Sequence, residues 1–276
     1  MLARLRRWFD EERAAAWPLS SAECGVLLRI ARCPLIAAAA KDAGHRCHRV
    51  VAAQAGAGQL RQVPEGWAGN LRDARVVFVS SNPSISVAGP GQPADAVEPY
   101  PVAADGEDYI AGYLGRRFDP SVTPRPYVKD NRSLLRNGEY AAPTRFWAEI
   151  KRRAEELIDD ADPARNYAMT EVVHCKSTRN IGARAAARTC AGLYLHDVFA
   201  LTAAPIVVVM GQVARRVITG MIPGLPAPPD TRPLADLGGR RRIFLFTGQP
   251  GSNEPRIIAR LYAPEIGQLR TIAMGG

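Results

Sequence analysis

Four short apolar runs, each cut off by a polar loop, restrict the fold of this chain more than any other feature of its sequence. They are RVVFVS (residues 75–80), YAMTEVV (167–173), IVVVM (206–210) and RIFLFT (242–247). Their length is that of strands, and their unbroken apolar character is that of parallel strands covered on both faces. Helical patterns separate them, so the expected fold class is α/β, a three-layer structure with a four-stranded parallel sheet between helices. Parallel strands place all their carboxyl ends on one side. The loops SSNPSIS, TEVVHCKST, MGQ and TGQPGSN should therefore meet along one rim, where open α/β sheets bind ligands.

The segments between the strands fill in this frame. Thr144 caps a helix expected over residues 145–158, and a long helix over 181–201 carries Cys190, Leu193, Tyr194, Val198 and Leu201 on one face. Upstream, residues 2–16 have an amphipathic pattern, and a second helix starts at Ser20 or Ser21 and is interrupted by Pro34. These predict an N-terminal helical extension over residues 1–70, packed on an α/β domain over 71–276. Residues 54–70 read as an irregular loop in which Pro64 and Trp67 cover a sheet edge. Residues 87–137 are a long connection with a short helix near 109–114, and 223–233 is a proline-rich surface loop. A last helix is expected over about 255–262.

Charge narrows the choice of partner. The 36 Lys and Arg against 27 Asp and Glu leave +9, which favours a polyanion over a neutral metabolite. The arginine pairs, and the triplet at Arg240, Arg241 and Arg242, read singly as solvated surface. No apolar run has the length of a membrane span, and the first residues lack the apolar core of a signal peptide. A cytoplasmic monomer that binds DNA and no membrane is the expectation.

Taken in order, the strand-end loops resemble the motifs of the uracil-DNA glycosylase superfamily. VSSNPS (residues 79–84) has the form of its first motif, a strand followed by an Asn-Pro turn. Residues 170–190 match a middle motif, T-N-x-V-x-C followed by a helix with a second cysteine. VMGQVA (209–214) is similar to its L-G-x-x-A element, and Gln249, Pro250, Gly251 and Ser252 stand where the family has H-P-(S/G). The resemblance covers residues 75–262. It implies base flipping, reading of the flipped base on its Watson–Crick edge, and hydrolysis of the glycosidic bond. It assigns Asn82 to the attacking water and Gln249 to the base O2, in place of a histidine. Ser81 and Ser84 belong to the base-binding turn. Phe118, in GRRF, is similar to a phenylalanine that stacks on the base, with core packing as the alternative.

Two departures bear on the substrate. The middle motif has Glu171 where uracil readers have asparagine. An ionised carboxylate only accepts hydrogen bonds, so it would repel uracil O4 and welcome the exocyclic amine of cytosine. Cytosine N3, also an acceptor, would then need a donor, supplied by a protonated Glu171 or a protonated base. An ion pair between Glu171 and a rim arginine is the structural alternative. In addition, Ser84, Ile85 and Ser86 follow the first motif without the bulky residue that excludes 5-substituted pyrimidines. The expected function is thus a DNA glycosylase for a 5-substituted cytosine, hydroxymethylated or glucosylated, similar to anti-phage glycosylases of this superfamily. A uracil-DNA glycosylase and an inactive DNA-binding module are the alternatives.

The five cysteines form an odd set for a reducing compartment. The resemblance implies a [4Fe–4S] cluster held by Cys175 and Cys190 together with two of Cys24, Cys33 and Cys47; Cys33 and Cys47 are the expected pair. Zinc on the same thiols and buried free thiols are the alternatives. Lys176, Arg179, Ser252, Asn253 and Arg256 are the expected DNA contacts. His174 reads as a surface histidine.

Overall fold

The computed structural model describes residues 19–54, 61–87, 91–225, 233–251 and 257–275. The helix expected over residues 2–16, most of the proline-rich loop, and Ser252, Asn253 and Arg256 lie outside the described residues.

The described chain opens with α1 (Ser21–Ala31), which a capping box starts: Glu23 N donates to Ser20 Oγ while Ser20 N donates to the Glu23 carboxylate. Pro34 separates α1 from α2 (Leu35–Lys41), and α3 (His48–Ala52) follows Cys47. Strands β1 (Trp67–Gly69) and β2 (Val76–Ser80) come next. The long connection holds α4 (Glu107–Gly115) and a small hairpin of β3 (Val128–Lys129) and β4 (Arg132–Ser133). The chain continues through α5 (Arg145–Glu155), β5 (Tyr167–Glu171), α6 (Ala183–Ala200), β6 (Ile206–Met210) and α7 (Gly211–Met221). It closes with β7 (Leu234–Leu237), β8 (Arg240–Thr247), α8 (Ile257–Leu261) and α9 (Ile266–Met274).

The sheet order is β1-β5-β2-β6-β8-β7, with β5, β2, β6 and β8 mutually parallel. These are the four runs read from the sequence. The sheet itself has six strands, because β1 and β7 add antiparallel edges. Trp67 therefore lies in a strand, 2 % exposed, where the sequence predicts a loop. The expected boundary at residue 70 correspondingly falls after a strand of the central sheet.

Alternate residues of the parallel strands feed two separate cores, as a doubly covered sheet requires. Val77, Val79, Val207, Val209 and Phe246 pack with α1, α3, α6 and α7 on one face. Phe78, Met169, Val208 and Leu245 pack with α5, α8 and α9 on the other. Arg242 is not solvated surface. It is fully buried and donates to the carbonyls of Phe199, Thr202, Ala204 and Leu237, tying the end of α6 to β8. No described helix is long and apolar enough to cross a membrane.

Candidate functional site

The first and middle loops are zipped together beyond the strands. Ser80 pairs with Glu171 at the end of the β2–β5 ladder, and Val172 N and Val173 N then donate to Ser80 O and Ser81 O, both at 3.0 Å. Ser177 N donates to Pro83 O at 3.0 Å. Side chains continue the link: Ser81 Oγ donates to Asn180 Oδ1 at 3.1 Å and Asn82 Nδ2 donates to Ser177 Oγ at 2.9 Å. Asn82 is 8 % exposed and its Oδ1 is buried with no hydrogen-bond partner. A buried amide acceptor left open in this way is costly unless something donates to it. Ser84 is exposed and Ile85 half-buried.

Glu171, 6 % exposed, faces a buried charge network that sequence reasoning missed. Glu65 Oε1 accepts from Arg117 Nη1 at 2.7 Å, and Glu65 Oε2 accepts from Lys176 Nζ at 3.3 Å and from Tyr100 Oη at 3.2 Å. Arg117 turns its other edge to Glu98, donating from Nε and Nη2 at 2.9 Å each. Burial acts to raise the Glu65 carboxyl, but Arg117 and Lys176 outweigh it and hold it below the usual carboxylate range. Burial, then the charge of Glu65, push Glu171 up to about 8, against Lys176, Arg117 and a hydrogen bond from Ser80. In the protonated form that burial favours, Glu171 is an O–H donor beside a C=O acceptor. Of the two forms weighed from the sequence, the acceptor-only carboxylate and the protonated Glu171, this environment favours the second. No ion pair joins Glu171 to an arginine among the described residues.

Three further assignments change. Lys176 is 1 % exposed, with its ammonium 3.5 Å from the centroid of the Tyr100 ring and paired to Glu65, so it faces inward and not a phosphate. His174 is equally buried: Nδ1 donates to Glu65 O at 2.8 Å, and burial pushes the ring down to about 4. Phe118 is 7 % exposed and meets Trp147 edge-on at 5.2 Å, which places it in the core and not on an open face. Arg179 remains exposed in the turn after Lys176, with φ 51.

The last strand-end loop is organised by Arg153, 2 % exposed, which donates to Thr247 Oγ1, Gly248 O and Gln249 O. Gln249 is exposed and lies over the first residue of α7. A Cβ on Gly211 would come within 2.4 Å of Gln249 Cγ, so only glycine leaves room there.

The structure also brings together Cys33, Cys47, Cys175 and Cys190, which line one pocket with Val50, Val173 and Tyr194. Gly182 makes this possible: its φ is +76, and a Cβ would lie 2.3 Å from Val50 N, so α3 and Cys47 could not approach the start of α6. His174 N donates to Cys190 Sγ at 3.3 Å. Burial, then neighbouring thiols, raise Cys175, and burial lifts Cys190 to about 12. Four thiols around one pocket agree in number and type with the ligands of an iron–sulfur cluster. Among the described residues no group of three or more His, Cys, Asp or Glu is arranged to hold a metal ion. Cys24 is not part of the pocket lining.

A comparison with protein-family models finds none that matches, and no curated protein matches the chain.

Proposed function

We propose that the chain is a DNA glycosylase that hydrolyses the N-glycosidic bond of a flipped pyrimidine, a 5-substituted cytosine above others. The open Oδ1 of Asn82 carries this reading. It is a buried acceptor beside the rim of the sheet, with its amide nitrogen already held by Ser177, which is what orienting a water under a sugar requires. In this scheme the C1′–N bond breaks with its electron pair passing to the base. The oriented water adds through its oxygen to the oxocarbenium-like C1′ and gives its proton to solvent.

Glu171 matches the cytosine edge in its neutral form. Its O–H donates to N3, which leaves no acceptor unmatched, and its C=O accepts from the 4-amine. The same O–H meets negative charge as it develops on the leaving base, and the Gln249 amide serves O2. Beyond the first loop lies a cavity of about 220 Å³ lined by Gln62, Ser86, Glu98, Tyr100 and Arg136, among others.

Cys33, Cys47, Cys175 and Cys190 would hold a [4Fe–4S] cluster. When bound, it would tie the segment before α3 to the middle motif, and no bond is made or broken through it.

A second reading follows from the neutral carboxyl. Its O–H also matches uracil O4 while its C=O accepts from N3–H, so charge does not exclude uracil below the pH at which Glu171 ionises. Incubation with DNA containing glucosylated hydroxymethylcytosine, unmodified DNA and uracil DNA separates the two. Abasic sites in the first are expected. Abasic sites in uracil DNA alone favour the second reading, and tight binding with no abasic site in any of them contradicts both.

A further inference from the structure

We infer that Glu65 is a specificity-determining positioning residue: by taking up the charges of Arg117 and Lys176, it leaves Glu171 no cation of its own and so fixes that carboxyl in its neutral, donor-and-acceptor form.

Charge must balance in a buried space, where an unpaired ion is costly. Glu65, Glu98, Arg117 and Lys176 are each 6 % exposed or less. Two carboxylates and two cations cancel, and every strong contact of the cations is spent within that set or on the Tyr100 and Trp147 rings. Tyr113 Oη donates to Glu98 Oε1 at 2.7 Å and Tyr100 Oη to Glu65 Oε2 at 3.2 Å, so both side chains accept from a buried hydroxyl as well as from a cation. Glu171, 6 % exposed, is the third acid here: it ends β5 next to Thr170, whose Oγ1 donates to Gly66 O at 2.8 Å, and Glu65 N donates to His174 O at 3.0 Å in the loop that follows. The groups that act on it are Glu65 from the loop before β1, Arg117 from the end of α4, Lys176 from the loop after β5, and Ser80 on β2. Ionising it would add an unpaired charge to a set that is already neutral, and desolvation makes that unfavourable. Removing the Glu65 charge reverses the balance. One cation is then left over, and an ionised Glu171 is its natural partner.

The consequence for recognition rests on Glu171 being the base-edge reader; the protonation claim does not. With Glu65 in place, Glu171 offers O–H and C=O together. Without it, Glu171 becomes an acceptor-only carboxylate that has nothing to give to cytosine N3.

Infrared difference spectroscopy tests the protonation directly. The C=O stretch of a protonated carboxyl, assigned to Glu171 by its absence in Glu171→Gln, is expected in the wild-type protein at neutral pH and should fade as the pH passes about 8. In Glu65→Gln the fading is expected at a pH lower by about one unit or more. Glu98→Gln, which frees one edge of Arg117, is expected to move it in the same direction and keeps the test open if Glu65→Gln does not fold. A wild-type spectrum without the band at neutral pH overturns the inference, as does a band that titrates identically in the folded variants. Absence of base excision by a wild-type protein that shows the band would overturn the glycosylase reading and with it the role in specificity, and leave the protonation claim standing.

Discussion

Asn82 donates from Nδ2 to Ser177 Oγ at 2.9 Å and to Pro83 O at 3.1 Å, and because a carbonyl can only accept, these bonds fix which end of the amide is left open. With the nitrogen occupied, Oδ1 becomes the buried acceptor that lacks a partner. Replacing Asn82 with Ala removes the acceptor without touching Glu171. Base excision should fall by about 10²- to 10³-fold, mainly in kcat, with the fold retained by circular dichroism. An Asn82→Ala protein that excises at the wild-type rate would remove the water-orienting role.

Lys176 and Arg179 are three residues apart in the chain and should respond differently to substitution. Arg179 is exposed, so Arg179→Ala should lower the slope of log affinity for DNA against log salt by about 1. Lys176 is enclosed with Glu65. Lys176→Met should leave that slope unchanged and reduce stability by about 3–5 kcal/mol, because it leaves two buried carboxylates, Glu65 and Glu98, to share the one cation of Arg117. Salt titration and urea unfolding of the two variants separate these outcomes.

Gly182 should be among the least replaceable residues of the chain. A Cβ there meets Val50 N at 2.3 Å and Arg49 C at 2.6 Å, and the backbone is left-handed. Gly182→Ala should cost more than the roughly 1–2 kcal/mol of a left-handed alanine, since the neighbouring atoms are backbone. Displacement of α3 also moves Cys47 from the other thiols, so the iron and acid-labile sulfide content of the purified protein should fall together with its urea midpoint.

Stability should depend on pH through Glu171 with a sign opposite to that of a salt-bridged acid. Its folded pKa, about 8, lies above the ordinary 4.5. Between these values the native state holds a proton that the unfolded chain has released. Its stabilising contribution is therefore complete below about 4.5 and is lost as the pH rises through about 8. Relative to Glu171→Gln, the wild-type protein should lose up to about 1.4 kcal/mol per pH unit within that window. His174, pushed down to about 4, acts in the other direction below its ordinary 6.5; taking the difference between the two proteins cancels it. A difference that is flat with pH would show that Glu171 is ionised in the native state.

The four parallel strands were legible because a strand buried on both faces has no polar alternation to blur it. The edge strands were not. β7 reads Leu-Ala-Asp-Leu and is largely exposed, and its only strong signal is the Gly238-Gly239 pair of the hairpin turn. At the site, Asn82 and Glu171 stand out as polar residues at strand ends, and the cysteines stand out by residue type. Glu65, Glu98 and Arg117 do not, because they come from separate loops and meet only in the folded molecule. Arg117 stood beside the Phe118 that drew attention, and the arginine is the one that joins the network. The charge state of Glu171 was illegible for the same reason, being set by Glu65, which is remote in sequence.

Mass spectrometry of free base released from DNA shows whether the protein breaks the glycosidic bond. With DNA containing glucosylated hydroxymethylcytosine, the account predicts release of the intact modified base by the wild-type protein and its loss with Asn82→Ala. No free base from modified, unmodified or uracil-containing DNA, at protein concentrations that saturate binding, would contradict it.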